Sequence, residues 1–405
     1  MNSREMQKTN RLLVLRTLLE DGGMMRTELA DKSGLQKATI TNIINEFLEN
    51  GVVEIDGQPA SGRRGERVGL RLDDCYILSV LLNRKLFQAA IYTLDGEQID
   101  RSGGSLQPDT DEQEILSGIL GAVRDLLGRY GEEKVLGICL GLPGPYVVDP
   151  ENGNEIALVT HFEQLGRMNL RAEMEKALGM KVFSMHDAKL SALAEWKTSE
   201  AARENPRVSL AAVSSVGYGI GSGYVINGQV VRGHFGIAGE IGRTGINYNA
   251  RRTPNGFEGT YEFCAGAESA TRYVQERLFE FPDSMLTENS TYDEIVRAYK
   301  QNDPLAVYAM EKIAWMLGYG LANLIYAIDP DYIILEEKYP DYPPFLEKVR
   351  QSVRQFVDPY IFERVSITHS KLKYDSVLLG GYYYILEKLL KEGDLLEKIQ
   401  RIKQM

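Results

Sequence analysis

Three runs of helical period open the chain. Leu12, Leu15, Leu18 and Leu19 recur with helical spacing and stop at Asp21-Gly22-Gly23. A shorter run holding Glu28, Leu29 and Ala30 ends near Ser33-Gly34. The third places Ile40, Ile43, Ile44, Phe47 and Leu48 at i, i+3, i+4, i+7 and i+8, which gives a helix one core-facing stripe. It stops at Asn50-Gly51, a C-cap signal. Two short strands are expected next, Val52–Ile55 and Arg67–Leu72, on either side of the basic, glycine-rich stretch GQPASGRRGER.

From Cys75 the pattern changes to strands alternating with helices. Tyr76–Leu82 and Leu86–Leu94 read as a hairpin around Asn83-Arg84-Lys85, with a third strand after Asp95-Gly96. A helix near 111–130, a strand into Gly137–Leu140, a helix near 168–178 and the strand Val182–Met185 follow. Near residue 208 the opening repeats: strand Ser209–Ser215, a glycine-rich turn, strand Gly223–Ile226, the Asn227-Gly228 turn and a third strand. Asn-Gly between strands is a strong hairpin signal. Later strands are expected near Tyr332–Leu335 and Val365–Thr368. Two halves that each open with a meander and continue β-α-β predict an α/β fold: a unit at 1–72, then a duplicated body at 73–405 whose two lobes divide near residue 200.

The stretch RTELADKSGLQKATITNIINEFLENG has helix-turn-helix spacing. Ala30 lets two helices approach, Gly34 supplies the turn, and Ile40 and Ile44 anchor the second helix. Lys37, Ala38, Thr41, Asn42 and Asn45 are then left on the outer face, with the short polar groups and the cation a major-groove reader needs. Arg26, Lys37, Thr39, Thr41, Asn42 and Asn45 are the expected DNA contacts on the helices. Arg63 and Arg64 are those on the loop, since a basic hairpin tip beside a recognition helix can enter the minor groove. Three helices, two strands and an arginine-tipped loop make a winged helix.

Charge narrows where DNA can bind. The 405 residues carry 46 basic and 57 acidic side chains. Residues 1–72 sum to +1 and the remainder to −12, so any DNA contact has to come from the first unit. At 43% hydrophobic and 25% charged, the chain has the composition of a soluble globular protein. Cys75, Cys139 and Cys264 lack metal-type or disulfide-type spacing, the first eleven residues are polar, and no apolar run reaches the roughly 20 residues of a membrane span. A cytoplasmic protein with no membrane partner is expected.

Several segments resemble the ROK family of repressors and sugar kinases: GICLGLPGPYVVDPENG (137–153), HDAKLSALAEW (186–196), VGYGIGSGYVINGQVVRGHFGIAGEIGR (216–243), GTYE (259–262), IDPDYIIL (328–335) and LLGGYYYILEKLL (378–390). The resemblance implies an actin-like, ribonuclease-H-like fold, and the winged helix in front matches the family's regulator branch. The family's kinases hold ATP with two glycine-rich hairpin turns and a late glycine run. Here the first turn reads SVLLNRKLF, the second keeps its glycines with Tyr218 at a threonine position, and the third is Glu336-Glu337-Lys338. Loss of ATP binding is expected.

On the sugar side, the resemblance matches Asp187 to the kinases' general base and Glu240 and Glu262 to carboxylates that accept sugar hydroxyls. Gly144 is expected to allow close backbone approach. His186 stands where the kinases have Asn. Arg243 stands where they have a His that contacts both sugar and zinc, and it implies a taste for acidic or phosphorylated sugars. The effector residues expected are therefore Gly144, His186, Asp187, Glu240, Arg243 and Glu262, with Asp187 vestigial as a catalyst. The family's zinc positions are Arg243, Thr253, Asn255 and Thr260 here, so neither metal nor cofactor is expected.

The expected function is a non-enzymatic transcriptional repressor of carbohydrate genes that binds operator DNA as a homodimer or homotetramer under control of a sugar-like effector. An active sugar kinase with an appended DNA-binding unit is the rival, and a regulator answering to a protein partner is a third reading.

Overall fold

The computed structural model describes residues 3–56, 66–71, 74–107, 109–149, 155–157, 168–216, 219–253, 256–372, 376–393 and 395–403. In chain order the head holds α1 (Ser3–Asp21), β1 (Met24–Met25), α2 (Arg26–Ser33), α3 (Lys37–Glu49), β2 (Val53–Asp56) and β3 (Arg67–Leu70). Val14, Leu15, Leu18, Leu29, Ile40, Ile44 and Phe47 form its core. The sheet order is β1-β3-β2. The two-residue β1 is an addition to the two strands expected, too short for a periodic signal. Arg11 of α1 forks onto Glu46 of α3 at 2.8 and 3.0 Å.

The body continues with β4 (Tyr76–Leu82), β5 (Leu86–Thr93), β6 (Gln98–Ser105), α4 (Glu112–Tyr130), β7 (Val135–Leu142), β8 (Tyr146–Val148), β9 (Glu155–Ala157), α5 (Leu170–Leu178) and β10 (Val182–His186). Then come α6 (Asp187–Thr198), α7 (Glu200–Glu204), β11 (Leu210–Val216), β12 (Gly219–Ile226), β13 (Gln229–Val230), β14 (Arg252–Thr253), β15 (Gly256–Phe257), α8 (Tyr261–Ala265), α9 (Ser269–Arg277), α10 (Tyr292–Lys300) and α11 (Pro304–Ile328). The last elements are β16 (Tyr332–Glu337), α12 (Pro343–Phe356), α13 (Pro359–Phe362), β17 (Ser366–His369), α14 (Ser376–Glu392) and α15 (Leu395–Lys403).

The chain forms two units by contact. Met1–Leu142, Arg167–Met185 and Gly381–Met405 make the first, Pro143–Gly166 and His186–Gly380 the second. The first contains the head and the sheet β10-β7-β4-β5-β6; the second contains the sheet β13-β12-β11-β16-β17. In each, an antiparallel meander (β4-β5-β6, β11-β12-β13) meets a parallel neighbour, β7 or β16. This is the duplicated α/β architecture expected from the pattern.

Local chemistry sets the element ends. Asp111 caps α4 by accepting from the Gln113 and Glu114 amides at 2.8 Å. Asp303 caps α11, with Pro304 in its first turn. Asn227 and Gly228 both have positive φ (51° and 69°), the conformation a two-residue β12–β13 turn requires. In the first unit, α15 buries Leu395, Leu396 and Ile399, and Lys398 reaches the Leu136 carbonyl of β7 at 2.6 Å. Lys8 of α1 donates to the Glu392 carbonyl at 3.4 Å.

Candidate functional site

The head presents one polar helix face. Ile40, Ile43, Ile44 and Phe47 turn inward, so the helical period leaves Lys37, Ala38, Thr41, Asn42 and Asn45 exposed and Thr39 half-buried. Arg26 Nη1 donates to Asn45 Oδ1 at 3.1 Å. Asn45 is thereby held within the head, while among the described residues the Lys37 and Asn42 side chains have no such tether. Thr41 donates its hydroxyl to the Lys37 carbonyl at 2.9 Å, keeping its oxygen as an acceptor. Arg63 and Arg64 lie outside the described residues.

In the second unit, β10 ends and α6 begins at the same point, so His186 and Asp187 sit together at a helix start. His186 Nε2 lies 3.1 Å from Asp187 Oδ1 and 3.6 Å from Glu240 Oε1. Its Nδ1 lies 3.5 Å from Lys189 Nζ. Lys189 can only donate, so Nδ1 accepts and Nε2 carries the proton toward Asp187. Burial, helped by the Lys189 charge, pushes the imidazole down to about 3, which keeps it neutral.

Glu240 precedes one turn of 3₁₀ helix, Ile241–Arg243. Its loop is stitched to β12, where Gly239 O accepts from Ser222 N at 3.1 Å and from Ser222 Oγ at 2.7 Å. A Cβ on Gly239 would stand 2.2 Å from Ser222 O, and its φ is +94°, so only glycine lets the loop lie this close. Burial raises the Glu240 carboxyl, against the pull of Lys189 and Arg243. Glu240 Oε1 is buried with no hydrogen-bond partner among the described residues. A Cβ on Gly144 would stand 2.2 Å from His186 Nε2 and 2.6 Å from Glu240 Oε1, so Gly144 makes room for these two side chains.

Glu262, in α8, lies 4.0 Å from Arg243 Nε. Arg243 is therefore engaged by a carboxylate, and its side chain is 44% exposed. The structure thus brings His186, Asp187, Glu240 and Gly144 into contact, with Glu262 and Arg243 as a pair within electrostatic reach of Glu240.

Lys189 escaped sequence reasoning. Its signal was present: a lone cation inside Ala188–Trp196, every residue of which is buried.

The segments matched to the kinases' nucleotide turns take two distinct arrangements here. Asn83 Oδ1 accepts from the Lys85 and Leu86 amides at 2.8 and 2.9 Å, so the first turn spends on its own side chain the N–H groups a phosphate would need. The late motif is corrected by the structure. Glu336 and Glu337 are not a turn but the last residues of β16, and Glu336 is buried at 1% exposure, accepting from Ser191 Oγ. Glu336 is also hydrogen-bonded with Glu195, whose carboxyl is raised by burial and accepts from Ser370 Oγ. The side chain fills protein interior rather than repelling phosphates from a loop. The second glycine run is shorter than expected as a turn: β12 already starts at Gly219, and Gly217 and Tyr218 lie outside the described residues.

Thr253 and Thr260 stand with Arg243 at the zinc positions, and Asn255 lies outside the described residues. Among the described residues no three His, Cys, Asp or Glu side chains are grouped to hold a metal. Cys75, Cys139 and Cys264 are buried. No helix among the described residues is long and apolar enough to cross a membrane.

The ROK family model matches residues 78–388. The chain belongs to the ROK family. A winged helix-turn-helix DNA-binding model matches residues 8–54 in front of the ROK domain. The xylose repressor of Caldicellulosiruptor bescii is 25% identical over 395 residues, covering 95% of this chain and 97% of that one. The DNA-binding transcriptional repressor Mlc of Escherichia coli is 24% identical over 404 residues, covering 98% and 97%. A solved ROK family transcriptional regulator, described as a homologue of the E. coli Mlc protein, superposes with a TM-score of 0.80 at 24% identity over 98% of this chain and 99% of that one. A ROK family glucokinase from Streptomyces griseus, solved with glucose and AMPPNP, reaches a TM-score of 0.63 at 21% identity, covering 76% of this chain and 98% of the kinase. Nearly all of that kinase thus aligns to a part of this ROK chain, and the two share a fold.

Proposed function

We propose that this ROK regulator binds operator DNA through α3 and its wing and represses carbohydrate genes until a sugar or sugar derivative occupies the second unit. Residues 1–72 act as the DNA-binding domain, with Arg26 positioning Asn45, with Lys37, Thr39, Thr41 and Asn42 at the groove, and with Arg63 and Arg64 on the wing. Residues 73–405 act as the effector domain, where Asp187, Glu240 and Glu262 accept ligand hydroxyls, His186 orients Asp187, and Gly144 leaves them room. The working form is a homodimer or homotetramer, whose paired heads match a two-fold operator.

The observation that carries the reading is the fate of the two halves of the kinase machinery. The first phosphate turn is closed by Asn83, and Glu336 is built into the interior, while the carboxylate cluster persists with a buried unpartnered Glu240 Oε1. The full-length likeness to named repressors supports the same conclusion and disfavours the kinase. The test is a thermal-shift panel of monosaccharides and their derivatives on the full chain, with operator binding and ATP hydrolysis measured in parallel. A binder at about 100 times its Kd should add about 2.7 kcal/mol of stability and shift operator affinity. Sugar-dependent ATP hydrolysis would overturn the regulator reading.

A further inference from the structure

Lys189 sits on α6 with 1% of its surface exposed. Among the described residues its ammonium has one hydrogen-bond contact, the 3.5 Å approach to His186 Nδ1, although it carries three donors. Glu240 and Asp187 attract it and Arg232 opposes, yet no hydrogen bond joins it to either carboxylate. A buried ammonium and a buried carboxylate oxygen, Glu240 Oε1, thus lie within electrostatic reach of each other on either side of the His186 ring, with donors and an acceptor to spare. Each is costly to leave so. Any molecule that satisfies both must offer hydroxyl donors to Glu240 and acceptor oxygens to Lys189.

We propose that Lys189 contacts the effector and selects a polyol carrying an anionic group, a sugar acid, over the corresponding neutral sugar. This rests on the reading that the cluster binds a sugar-like effector. A neutral hydroxyl can accept one bond from the ammonium, whereas a carboxylate offers it two charged acceptor oxygens and so the stronger, charge-assisted bonds. The assignment moves the anion preference away from Arg243, the residue the sequence pointed to, because Arg243 already faces Glu262 at 4.0 Å and is half exposed. His186 contributes no charge. Asp187, Glu240 and Glu262 are matched by Lys189, Arg232 and Arg243, so the site carries no excess of negative charge to turn an anion away. Burial holds the Lys189 ammonium down at about 8, which leaves it mostly charged at neutral pH and able to lose its proton just above.

The test is calorimetric titration of the full chain with D-xylose and D-glucose, with D-xylonate, D-gluconate and D-glucuronate, and with D-glucose 6-phosphate. Wild type, Lys189→Met, Lys189→Arg and Arg243→Ala are compared, with thermal melts confirming that each variant folds. Wild type should bind at least one anionic sugar about tenfold or more tightly than its neutral parent. Lys189→Met should abolish that preference, weakening the anionic sugar about tenfold more than its neutral parent; Lys189→Arg and Arg243→Ala should retain it. The preference should also fade between about pH 7 and about pH 9 in wild type and not in Lys189→Arg. Tighter binding of the phosphate than of the carboxylates would overturn the assignment of a sugar acid. Equal binding of neutral and anionic sugars, or equal weakening of both in Lys189→Met, would overturn it and leave the sugar reading standing. Absence of binding by every sugar, neutral and anionic, would overturn the sugar reading and the assignment together.

Discussion

The Tyr261 ring lies against the bare backbone of Gly320: a Cβ there would stand 2.2 Å from ring atoms Cε2 and Cζ. The Tyr261 hydroxyl also donates to the Leu317 carbonyl at 2.7 Å. The residue directly before Glu262 is thereby fixed to α11, whose Ile313, Leu317 and Leu321 lie in the second unit's core. Gly320→Ala should cost about 1–3 kcal/mol through overpacking and weaken effector binding by displacing Glu262. Tyr261→Phe keeps the ring and loses one hydrogen bond, for about 1 kcal/mol, with smaller loss of binding. Urea unfolding and calorimetry on the two variants separate these outcomes.

On the DNA side, base readout and phosphate contact should separate. Asn42→Ala should reduce discrimination at one operator position by about 1–3 kcal/mol and leave the salt dependence alone. The Arg63→Ala, Arg64→Ala double variant should weaken binding to all sequences and lower the log–log salt slope by about 2, near 0.9 per lost phosphate contact. Fluorescence anisotropy over a salt series, with cognate and scrambled operators, measures both.

Glu240 gives a pH test of effector binding. Its carboxyl is raised by burial, so it takes up a proton nearer neutrality than an exposed glutamate would. Accepting a ligand hydroxyl needs the carboxylate, so affinity should fall as pH is lowered, and should begin to fall nearer neutrality than for an exposed glutamate. Glu240→Gln should bind more weakly at neutral pH by about 1 kcal/mol, the difference between a charge-assisted and a neutral hydrogen bond, and should show a flatter profile. A profile in the variant as steep as in wild type would remove Glu240 from the binding step.

Glu195 gives a pH test of stability. In the folded chain its carboxyl, faced by Ser370, Glu336 and His369, is raised by burial. The folded state therefore holds a proton that the unfolded chain gives up. The stability this provides is complete below the unfolded carboxylate value and is lost as pH rises through the raised folded value. Glu195→Gln keeps a donor toward Glu336 at every pH. Its unfolding free energy relative to wild type, from urea titrations, should be more favourable at about pH 8 than at about pH 4.5, by on the order of 1 kcal/mol, one buried hydrogen bond.

The head and the opening meander of both halves were legible because period and turn chemistry are local. The spacing of Ile40, Ile43, Ile44 and Phe47 sets an outer face without further information, and Asn227-Gly228 sets its own hairpin. The carboxylate cluster was legible only through motif resemblance, since Gly144, Asp187 and Glu240 are distant in sequence. Three features were out of reach because they depend on what lies across space. The β1 strand exists by pairing with Val68 and Arg67. The burial of Glu336 depends on Ser191 and Glu195 waiting across from β16. The engagement of Arg243 by Glu262 depends on where α8 starts.

The C-terminal helix α15 also sets a timetable. The first unit is assembled from three separate stretches, and its head, through Lys8, touches Glu392, while Lys398 of α15 fastens to β7. At about 5–20 residues per second, the helices that would meet an operator emerge from the ribosome roughly 17–70 s before the residues that complete their support. A nascent or prematurely ended chain would carry the reading helix without its anchorage. Occupancy of DNA would then report finished molecules, and a partial translation product would make a poor competitor for the operator.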